Sequence, residues 1–580
     1  MNSRPLTRRA VLGGLAAAAL SPVALGQAQA RAAGAVPLTG PRGAGAAHAS
    51  PGGAVDGPSA RRMRGMWIAS VVNINWPSRT GLTVEQQKSE FVSWLDFARS
   101  RRLNAVFVQV RPTADAFWPS RYEPWSQYLT GVQGQDPGYD PLGFMVQAAH
   151  ERGLAFHAWF NPYRVSMQAD LEQLVPDHPA RQNPAWPVAY GGKLYYNPGL
   201  PEVRAFVQDA IMDAVERYDI DGVHFDDYFY PYPVAGQEFD DAEAYADHGT
   251  GFPDKAAWRR HNVNLLIEEM SERVREAKPE VQWGVSPFGI WRNATTDPLG
   301  SATSGSQSYD SQHADTRLWV KRGWLDYVAP QIYWNIGLPV ADYAVLAPWW
   351  SQVVAGTGTQ LWVGQAAYKV GVAGQPAAWQ DPAELSRHLT LNLDHPEIGG
   401  DIYYSAGDLR ADRLGSTTRL VADHYARPAL LPVLPRLASG PRPRTPVLTQ
   451  ARTAAGGGVA LSFEAAGRPE PWLYAVYRFD EEDPAPAPTA TGGPEPTAAG
   501  SPPAPATRGA AHAGVGGDGG HGGRDGCDPE ELAAHLVAVV PGGRRAQYTD
   551  PAGGRGSLYR VTALDRANRQ SPPSPARRAL

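Results

Sequence analysis

The sequence predicts an α/β protein whose main part is a (β/α)8 TIM barrel, followed by a small all-β sandwich. Three observations predict this architecture. Eight short, apolar and aromatic-rich runs alternate with helical patterns between residues 62 and 427. A proline-rich stretch, 428–446, then breaks the pattern, and residues 447–580 alternate apolar and polar side chains with the period of two that is typical of strands.

Each apolar run predicts one barrel strand, and eight parallel strands are the number that closes a TIM barrel. The predicted strands are 66–72, 105–110, 155–160, 222–226, 282–286, 327–333, 361–366 and 401–404. The clearest predicted helix is 201–220, where apolar residues recur on one stripe behind a first-turn proline. The other predicted helices are 84–102, 141–151, 256–277, 382–393 and 416–425.

The segments outside the barrel are predicted from composition. Residues 31–61 are rich in Ala, Gly and Pro and predict a disordered linker, and 428–446 predict a second, proline-rich linker. Within 447–580, strand-like patterns occupy 459–463, 473–477 and 558–563, with a closing turn and strand in 565–574. This part resembles a fibronectin type III module, interrupted at 483–528 by a low-complexity insertion that we expect to be disordered.

The first thirty residues predict an export signal. Paired Arg8 and Arg9 precede the apolar run 11–20, and small residues at 28–30 fit a cleavage site. The pattern resembles a twin-arginine signal peptide, and an ordinary secretory signal is the alternative. Both predict a secreted or cell-envelope protein without a transmembrane anchor, because the apolar run is too short to span a bilayer.

Charge and cysteine content exclude several classes of function. The net charge is −5, with acidic and basic residues mixed along the chain, which argues against nucleic-acid and membrane partners. Cys527 is the only cysteine, so no intrachain disulfide can form and no lipid-acceptor cysteine follows the signal. We expect a monomer.

In a TIM barrel the active site lies at the C-terminal ends of the strands, which are unusually polar and aromatic here. The candidate substrate-binding residues at these ends are Arg111, Asp115, Trp159, Asn161, Tyr163, Arg164, His224, Tyr228, Trp291, Gln331, Tyr333 and Trp334. Arginine suits carboxylates and tryptophan faces suit sugar rings, although each residue could equally be structural. His224 fits a buried core residue better than a metal ligand, because no second His or Cys stands at ligand spacing. We therefore expect neither a metal nor a cofactor.

Asp226 and Asp227 are the strongest catalytic candidates. They directly follow the fourth predicted strand, where two adjacent carboxylates are costly unless they are solvated, paired or used. Alternation along a strand directs Asp226 into the barrel, and Asp227 to the other face unless the strand has already ended. The structural alternative is that one of them caps a helix or pairs with an arginine.

Several motifs of the barrel segment resemble the bacterial glycosyl-hydrolase-like 10 family. They are DGVHFDDYFYP at 221–231, RGMW at 64–67, NPYR at 161–164, SPFGIWR at 286–292 and PQIYW at 330–334. The resemblance implies a TIM-type barrel, an envelope location and glycan hydrolysis, with peptide-free peptidoglycan strands as one substrate class. True family 10 xylanases use glutamates on strands four and seven, and strand seven here ends without a carboxylate.

A weaker resemblance is to the family 18 chitinases. Asp221 and Asp226 match members of their aspartate series, but Tyr228 occupies the position of the catalytic acid. The roles of the chitinase residues therefore do not transfer directly.

Glycoside hydrolysis normally uses two carboxyl groups on either side of the scissile bond, and adjacent residues that face opposite ways fit this poorly. The second group could come from Asp115, Asp310 or Asp315. Alternatively, an N-acetyl sugar could supply its own acetamido oxygen, oriented by a phenol such as that of Tyr333. We expect Asp226 or Asp227 to be the general acid. The competing functions are a non-catalytic glycan-binding wall protein, a transglycosylase and a carbohydrate deacetylase.

Overall fold

The computed structural model describes residues 61–479 and 532–580. The predicted signal peptide, all but the last residue of the first linker and the insertion 483–528 lie outside the described residues.

Eight parallel strands form the closed barrel, in the spatial order β1-β11-β10-β9-β8-β7-β3-β2. This confirms the predicted fold class. The barrel strands are β1 (Met63–Ile68), β2 (Ala105–Arg111), β3 (Ala155–Phe160), β7 (Gly222–Phe225), β8 (Gln282–Val285), β9 (Tyr327–Val328), β10 (Gln360–Gln365) and β11 (Ile398–Tyr403).

Helices cover the outside of the barrel, and each of the six predicted helices lies within two or three residues of an observed one. The helices are α1 (Val84–Ser100), α2 (Gln127–Thr130), α3 (Pro141–His150), α4 (Pro179–Gln182), α5 (Pro201–Arg217), α6 (Ala242–His248), α7 (Lys255–Ala277), α8 (Ser308–Ser311), α9 (Thr316–Arg322), α10 (Tyr343–Val354), α11 (Glu384–Leu393), α12 (Ala406–Ala411) and α13 (Ser416–His424). Side-chain caps begin several of them: Asp140, for example, accepts a hydrogen bond from the Gly143 amide.

Two barrel strands, the first and the sixth, differ most from their predicted limits. The first starts at Met63 and ends at Ile68, because the amides of Ser70 and Val71 turn to donate to the side chain of Gln109. The sixth has only two strand residues, Tyr327 and Val328. The apolar run continues to residue 333, but beyond Val328 the chain makes only isolated bridges.

An antiparallel sheet of three short strands, absent from the prediction, is inserted between β3 and β7. Its strands are β4 (Arg164–Ser166), β5 (Pro187–Tyr190) and β6 (Lys193–Tyr196), in the order β4-β6-β5. The insert begins three residues after β3 ends, so it starts at the C-terminal mouth of the barrel.

The C-terminal region forms two antiparallel sheets, of three and four strands. Its strands are β12 (Val447–Thr453), β13 (Val459–Glu464), β14 (Leu473–Phe479), β15 (Leu536–Pro541), β16 (Arg545–Asp550), β17 (Leu558–Leu564) and β18 (Arg577–Arg578). Alternate residues, such as Val459, Leu461 and Phe463 of β13, are buried between the sheets. A small all-β unit therefore follows the barrel, as expected.

The proline-rich segment after the barrel packs against its N-terminal face. Leu430, Leu431 and Leu434 are buried, and Leu431 joins the side chains that fill the barrel interior. Arg436 ion-pairs with Asp326, with 2.8 Å between the nitrogen and the oxygen. Within the described parts of the chain, no helix is both long enough and apolar enough to cross a membrane.

Candidate active site

Asp226 and Asp227 lie at the mouth of the barrel, where β7 ends at Phe225. Val223 and Phe225 face the surrounding helices, while His224 faces the barrel interior and Asp226 continues that inward direction. Because the strand has ended, Asp227 is free of the strand alternation. Each aspartate is only 5% exposed. In the described part of the chain, neither aspartate forms a salt bridge with a basic residue.

Asp226 accepts three hydrogen bonds. Its Oδ2 atom accepts from Nε1 of Trp159 at 3.1 Å and from Nδ2 of Asn161, and its Oδ1 atom accepts from the amide of Tyr228 at 3.2 Å. Trp159 and Asn161 belong to the end of β3, the strand that pairs with β7. Neighbouring strands thus fix the carboxyl group from two sides.

Asp227 is held by a different set of donors. Nε2 of Gln331 donates to Oδ1 at 3.0 Å, and the Tyr232 hydroxyl donates to Oδ2. Gln331 comes from the chain after β9, and its same nitrogen also donates to the carbonyl of Ser286, 2.9 Å away. The Asp227 carboxyl is therefore directed by groups from three segments of the mouth.

The two carboxyl groups have unequal electrostatic surroundings. Burial raises the pKa of Asp226, while the positive charge of Arg164 opposes this rise. Burial, together with the negative charge of Asp226, raises the pKa of Asp227 to about 6. Asp226 consequently loses its proton first, and Asp227 is the group that keeps a proton up to about pH 6.

A chain of side-chain amides orients Asn161. The Oε1 atom of Gln109 accepts from the amides of Ser70 and Val71, at 3.0 and 2.9 Å. This leaves Nε2 of Gln109 to donate to Oδ1 of Asn161 at 2.6 Å. The Asn161 amide is thereby forced to present its NH2 group to Asp226.

Arg164 lies beside the acid pair, at the start of the inserted sheet. Its Nε atom donates to the carbonyl of Pro112 and its Nη2 atom to Oδ1 of Asn161, both at 2.9 Å. The guanidinium also lies 5.3 Å from the ring centre of Tyr228. Arg164 is thus fixed in place and lowers the cost of a negative charge on Asp226.

Aromatic side chains line the mouth on both sides of the acid pair. On one side, Tyr333 packs against Tyr368 and Tyr404, with ring centres 5.7 and 6.3 Å away. On the other, Trp334 packs on Phe288 at 5.4 Å, and Phe288 packs on Tyr232 at 6.1 Å. Half-buried aromatic rings of this kind can stack against sugars.

Four predicted binding residues are enclosed by packing and do not contact the acid pair. Arg111 is fully buried, and its Nε donates to Glu123 at 2.7 Å. Tyr163 is also fully enclosed, among core residues. Asp115 is enclosed and accepts from the Thr113 amide at 3.2 Å, and burial raises its pKa to about 7. Each of these three side chains is therefore enclosed by other parts of the protein.

His224 is the fourth of these residues and lies inside the barrel. Its Nε2 atom accepts from Nε1 of Trp67 at 3.1 Å, so Nδ1 carries the proton and donates to the Tyr327 hydroxyl at 3.0 Å. Burial lowers the pKa of His224 well below its usual value, so the ring is neutral. His224 is thus a hydrogen-bonded histidine of the barrel interior, in keeping with the expectation of a buried core residue.

Trp291, Asp310 and Asp315 have contacts of their own, apart from the acid pair. Nε1 of Trp291 donates to Asp315 at 3.1 Å, and Asp315 also caps α9. Asp310 pairs with Arg292 at 3.2 Å. In the described ranges neither aspartate contacts the acid pair, so the structure does not bring a second strand's carboxylate to Asp226 and Asp227.

Sequence reasoning did not find Tyr232 or Gln109 as site residues. Tyr232 ends an aromatic run only five residues after Asp227, and this spacing was the one available signal. The role of Gln109 depends on a turn after β1, which the sequence did not predict. No group of three or more His, Cys, Asp or Glu residues suited to a metal ion occurs within 61–479 and 532–580.

Comparison with known proteins covers the barrel. The model of the family described as glycosyl hydrolase-like 10 matches residues 62–381. Glycosyl hydrolase YngK of Bacillus subtilis is 49% identical over 428 residues, which cover 73% of this chain and 84% of that protein. Glycosyl hydrolase DigH of Escherichia coli K12 is 42% identical over 366 residues, which cover 60% and 83%.

A solved structure with a similar fold is the glycoside hydrolase domain of PgaB (BpsB) from Bordetella bronchiseptica. It has a TM-score of 0.41 and 14% identity, and the match covers 63% of this chain and 99% of that domain. The family model spans more than half of the chain, and the B. subtilis relative shares nearly half of the aligned residues. The chain belongs to the glycosyl hydrolase-like 10 family.

Proposed function

We propose that this protein is an exported glycoside hydrolase that cleaves an envelope or extracellular polysaccharide, with Asp226 and Asp227 as its catalytic pair. Peptide-free peptidoglycan strands are the substrate we favour. The single observation that carries the proposal is a pair of buried carboxyl groups at the barrel mouth, held by neutral donors between aromatic walls. Structural aspartates at such burial are normally neutralised by a cation.

We assign Asp227 as the general acid. Its pKa of about 6 keeps part of the population protonated near neutral pH, which is what proton donation to a leaving oxygen requires. Asp226 is the ionised partner, stabilised by Arg164 and by the donors Trp159 and Asn161. Its charge both raises the pKa of Asp227 and can stabilise positive charge that develops on the sugar ring.

The position of both acids on one strand favours a substrate-assisted reaction on an N-acetyl sugar. The acetamido oxygen attacks C1 while the bond from C1 to the leaving oxygen breaks, and Asp227 gives its proton to that oxygen. Water then attacks C1, the acetamido group is released, and the proton of the water returns to Asp227. Asp226 would orient the acetamido N–H, and Tyr333 and Gln331 would contact the sugar.

The remaining contacts would position the glycan. Trp159, Tyr228 and Trp334 offer ring faces or edges, and Asn161 and Arg164 offer donors at the same mouth. From the sequence we also propose that the first thirty residues are a twin-arginine-type export signal. We propose too that the C-terminal sheets form a fibronectin type III-like module.

The test is digestion of peptide-free peptidoglycan strands, chitin oligomers and a neutral glucan in ¹⁸O-labelled water, followed by mass spectrometry. We expect one labelled oxygen per cut, from the wild type and from Asp209→Asn, a matched control in a partly exposed pair with Arg273. Asp227→Asn and Asp226→Asn should both lose cleavage. Full cleavage by both variants would disprove the assignment.

The competing functions would give products of other masses than hydrolysis does. Loss of acetyl groups would indicate a deacetylase, and chain cleavage without uptake of water would indicate a transglycosylase. Binding of glycan with no change in mass would indicate a non-catalytic wall protein.

A further inference from the structure

The inserted sheet β4-β6-β5 carries two basic side chains on the face that looks toward the acid pair. Arg164 of β4 pairs in register with Tyr195 of β6. Directly opposed residues of an antiparallel pair project from the same face of the sheet. Lys193 lies two residues before Tyr195 on β6, so it projects from that face as well.

The opposite face of the sheet is turned into the protein. Tyr196, the next residue of β6, is fully buried and interacts electrostatically with Glu123 and Arg111 inside the protein. Tyr195 instead interacts with Arg164 and Asp226. The face with Lys193, Tyr195 and Arg164 therefore leads directly to the acid pair.

Among the described residues neither cation forms a salt bridge with a carboxylate, although the charge of Arg164 acts on Asp226 from a distance. Arg164 uses Nε and Nη2 on uncharged oxygens of Pro112 and Asn161, and its Nη1 has no acceptor among the described residues. Arg164 is nevertheless only 5% exposed to solvent. Burial and the charge of Arg164 lower the pKa of Lys193, and no described carboxylate opposes this effect.

We propose that Arg164 and Lys193 form a subsite that binds a free carboxylate on a sugar next to the scissile bond. The inference rests on the proposed function and narrows its substrate to glycans that carry a free carboxylate, on a hexuronic acid or on an ether-linked lactyl group. One free guanidinium nitrogen and one ammonium group match the two oxygens of a carboxylate. A neutral glucan or a glycan whose carboxyl groups are amidated would leave Nη1 of Arg164 and the ammonium group of Lys193 without a charged acceptor, at a cost.

Two pairs of oligosaccharides test the subsite. The first member of each pair has free carboxylates, on lactyl groups in one pair and on hexuronic acids in the other. The second member of each pair is the methylamide of the first. We expect Lys193→Met to lower kcat/KM about tenfold on the free acids and to leave the methylamides unchanged, since a charge-assisted hydrogen bond is lost only there. Lys193→Arg should restore most of the activity.

The matched control is Lys88→Met, because Lys88 lies on α1 over the ring of Tyr139. It should behave as the wild type on all four substrates. The pair that responds to Lys193→Met identifies the source of the carboxylate. Equal losses on free acids and methylamides, or no loss on either, would overturn the proposal.

Binding separates this proposal from the proposed function. If no oligosaccharide is cleaved, the proposed function fails, but equilibrium dialysis can still compare the wild type with Lys193→Met. Tighter binding of a free acid than of its methylamide, lost in the variant, would support the subsite. Equal binding of acid and methylamide would overturn it.

Discussion

The two ends of β7 place aspartates in opposite surroundings. At the N-terminal end, Asp221 accepts hydrogen bonds from His150 at 2.8 Å and from Arg566 of the C-terminal region at 2.6 Å. At the C-terminal end, Asp226 and Asp227 meet only neutral donors. Burial opposes ionisation at both ends, but His150 and Arg566 outweigh it and hold the pKa of Asp221 below its usual range.

The difference separates a face of the barrel held by ion pairs from a face that keeps two carboxyl groups without a salt bridge. Trp472 packs on His150 with ring centres 4.4 Å apart, and Arg566 lies 4.0 Å from the Trp472 ring, so the C-terminal sheets cover the charged N-terminal end. The mouth keeps two carboxyl groups that repel each other. We therefore expect stability to be concentrated at one end, while the other end retains the raised pKa values that the proposed catalysis would use.

The sharpest test exchanges one aspartate at each end for asparagine. Asp227→Asn removes the proposed general acid and should lower kcat by about a thousandfold. Asp221→Asn removes a carboxylate from the same strand and should leave kcat within about threefold, provided that the protein is folded. Initial rates on the cleaved glycan measure both. A comparable loss of kcat in the two variants would show that the mouth has no special role.

Stability should respond in the reverse order. Asp221→Asn breaks charged hydrogen bonds to His150 and Arg566, and should lower the free energy of unfolding by about 2 kcal/mol. Asp227→Asn relieves repulsion between buried carboxyl groups, and should be neutral or stabilising. Urea denaturation of both variants measures this. A larger loss from Asp227→Asn would mean that the acid pair contributes to the stability of the fold.

The same comparison predicts opposite pH dependences. The pKa of Asp227 is raised to about 6, so its contribution to stability is complete below about pH 4 and is lost as the pH rises through about 6. The pKa of Asp221 is lowered, so its contribution is present above about pH 4 and is lost as the pH falls through its folded value.

Denaturation from acid to neutral pH measures these slopes. Asp227→Asn should remove the decline of stability between about pH 4 and 6, and Asp221→Asn should flatten the loss at lower pH. The kcat of the wild type should fall as the pH rises past about 6, since the acid must be protonated. Wild-type slopes in both variants would contradict the pKa differences.

Much of this contrast could be predicted from the sequence. The βα alternation predicts the barrel, and the end of the fourth strand directs attention to Asp226 and Asp227, because strand ends in a TIM barrel converge on one mouth. Local pattern could not show which polar residues point inward. Arg111 and Tyr163 stand at strand ends just as Trp159 and Asn161 do, and all four are buried. Only the second pair donates to Asp226, while Arg111 bonds to Glu123 and Tyr163 packs into the core.

The remaining site residues depend on contacts between distant segments. Tyr232 reaches Asp227 only because the chain after β7 turns back over the mouth, and Gln331 is 104 residues away from the aspartate it contacts. The insert that carries Lys193 consists of strands of three and four residues, too short for a reliable period of two. Tertiary structure, rather than propensity, decides these positions.

The smallest expected effect concerns how the C-terminal region is attached. A double-mutant cycle of Asp221→Asn and Arg566→Met should give a coupling energy of about 1 kcal/mol, because the pair is partly exposed and shares Arg566 with Asp219. A control cycle replaces Arg566→Met with Arg419→Met, whose own partner is Asp423 on α13, and should give additive changes. All five variants should retain kcat, since none of these side chains lies at the mouth. Additivity in the first cycle would mean that the C-terminal sheets are held by Trp472 and the buried leucines rather than by the charges that distinguish the two ends of β7.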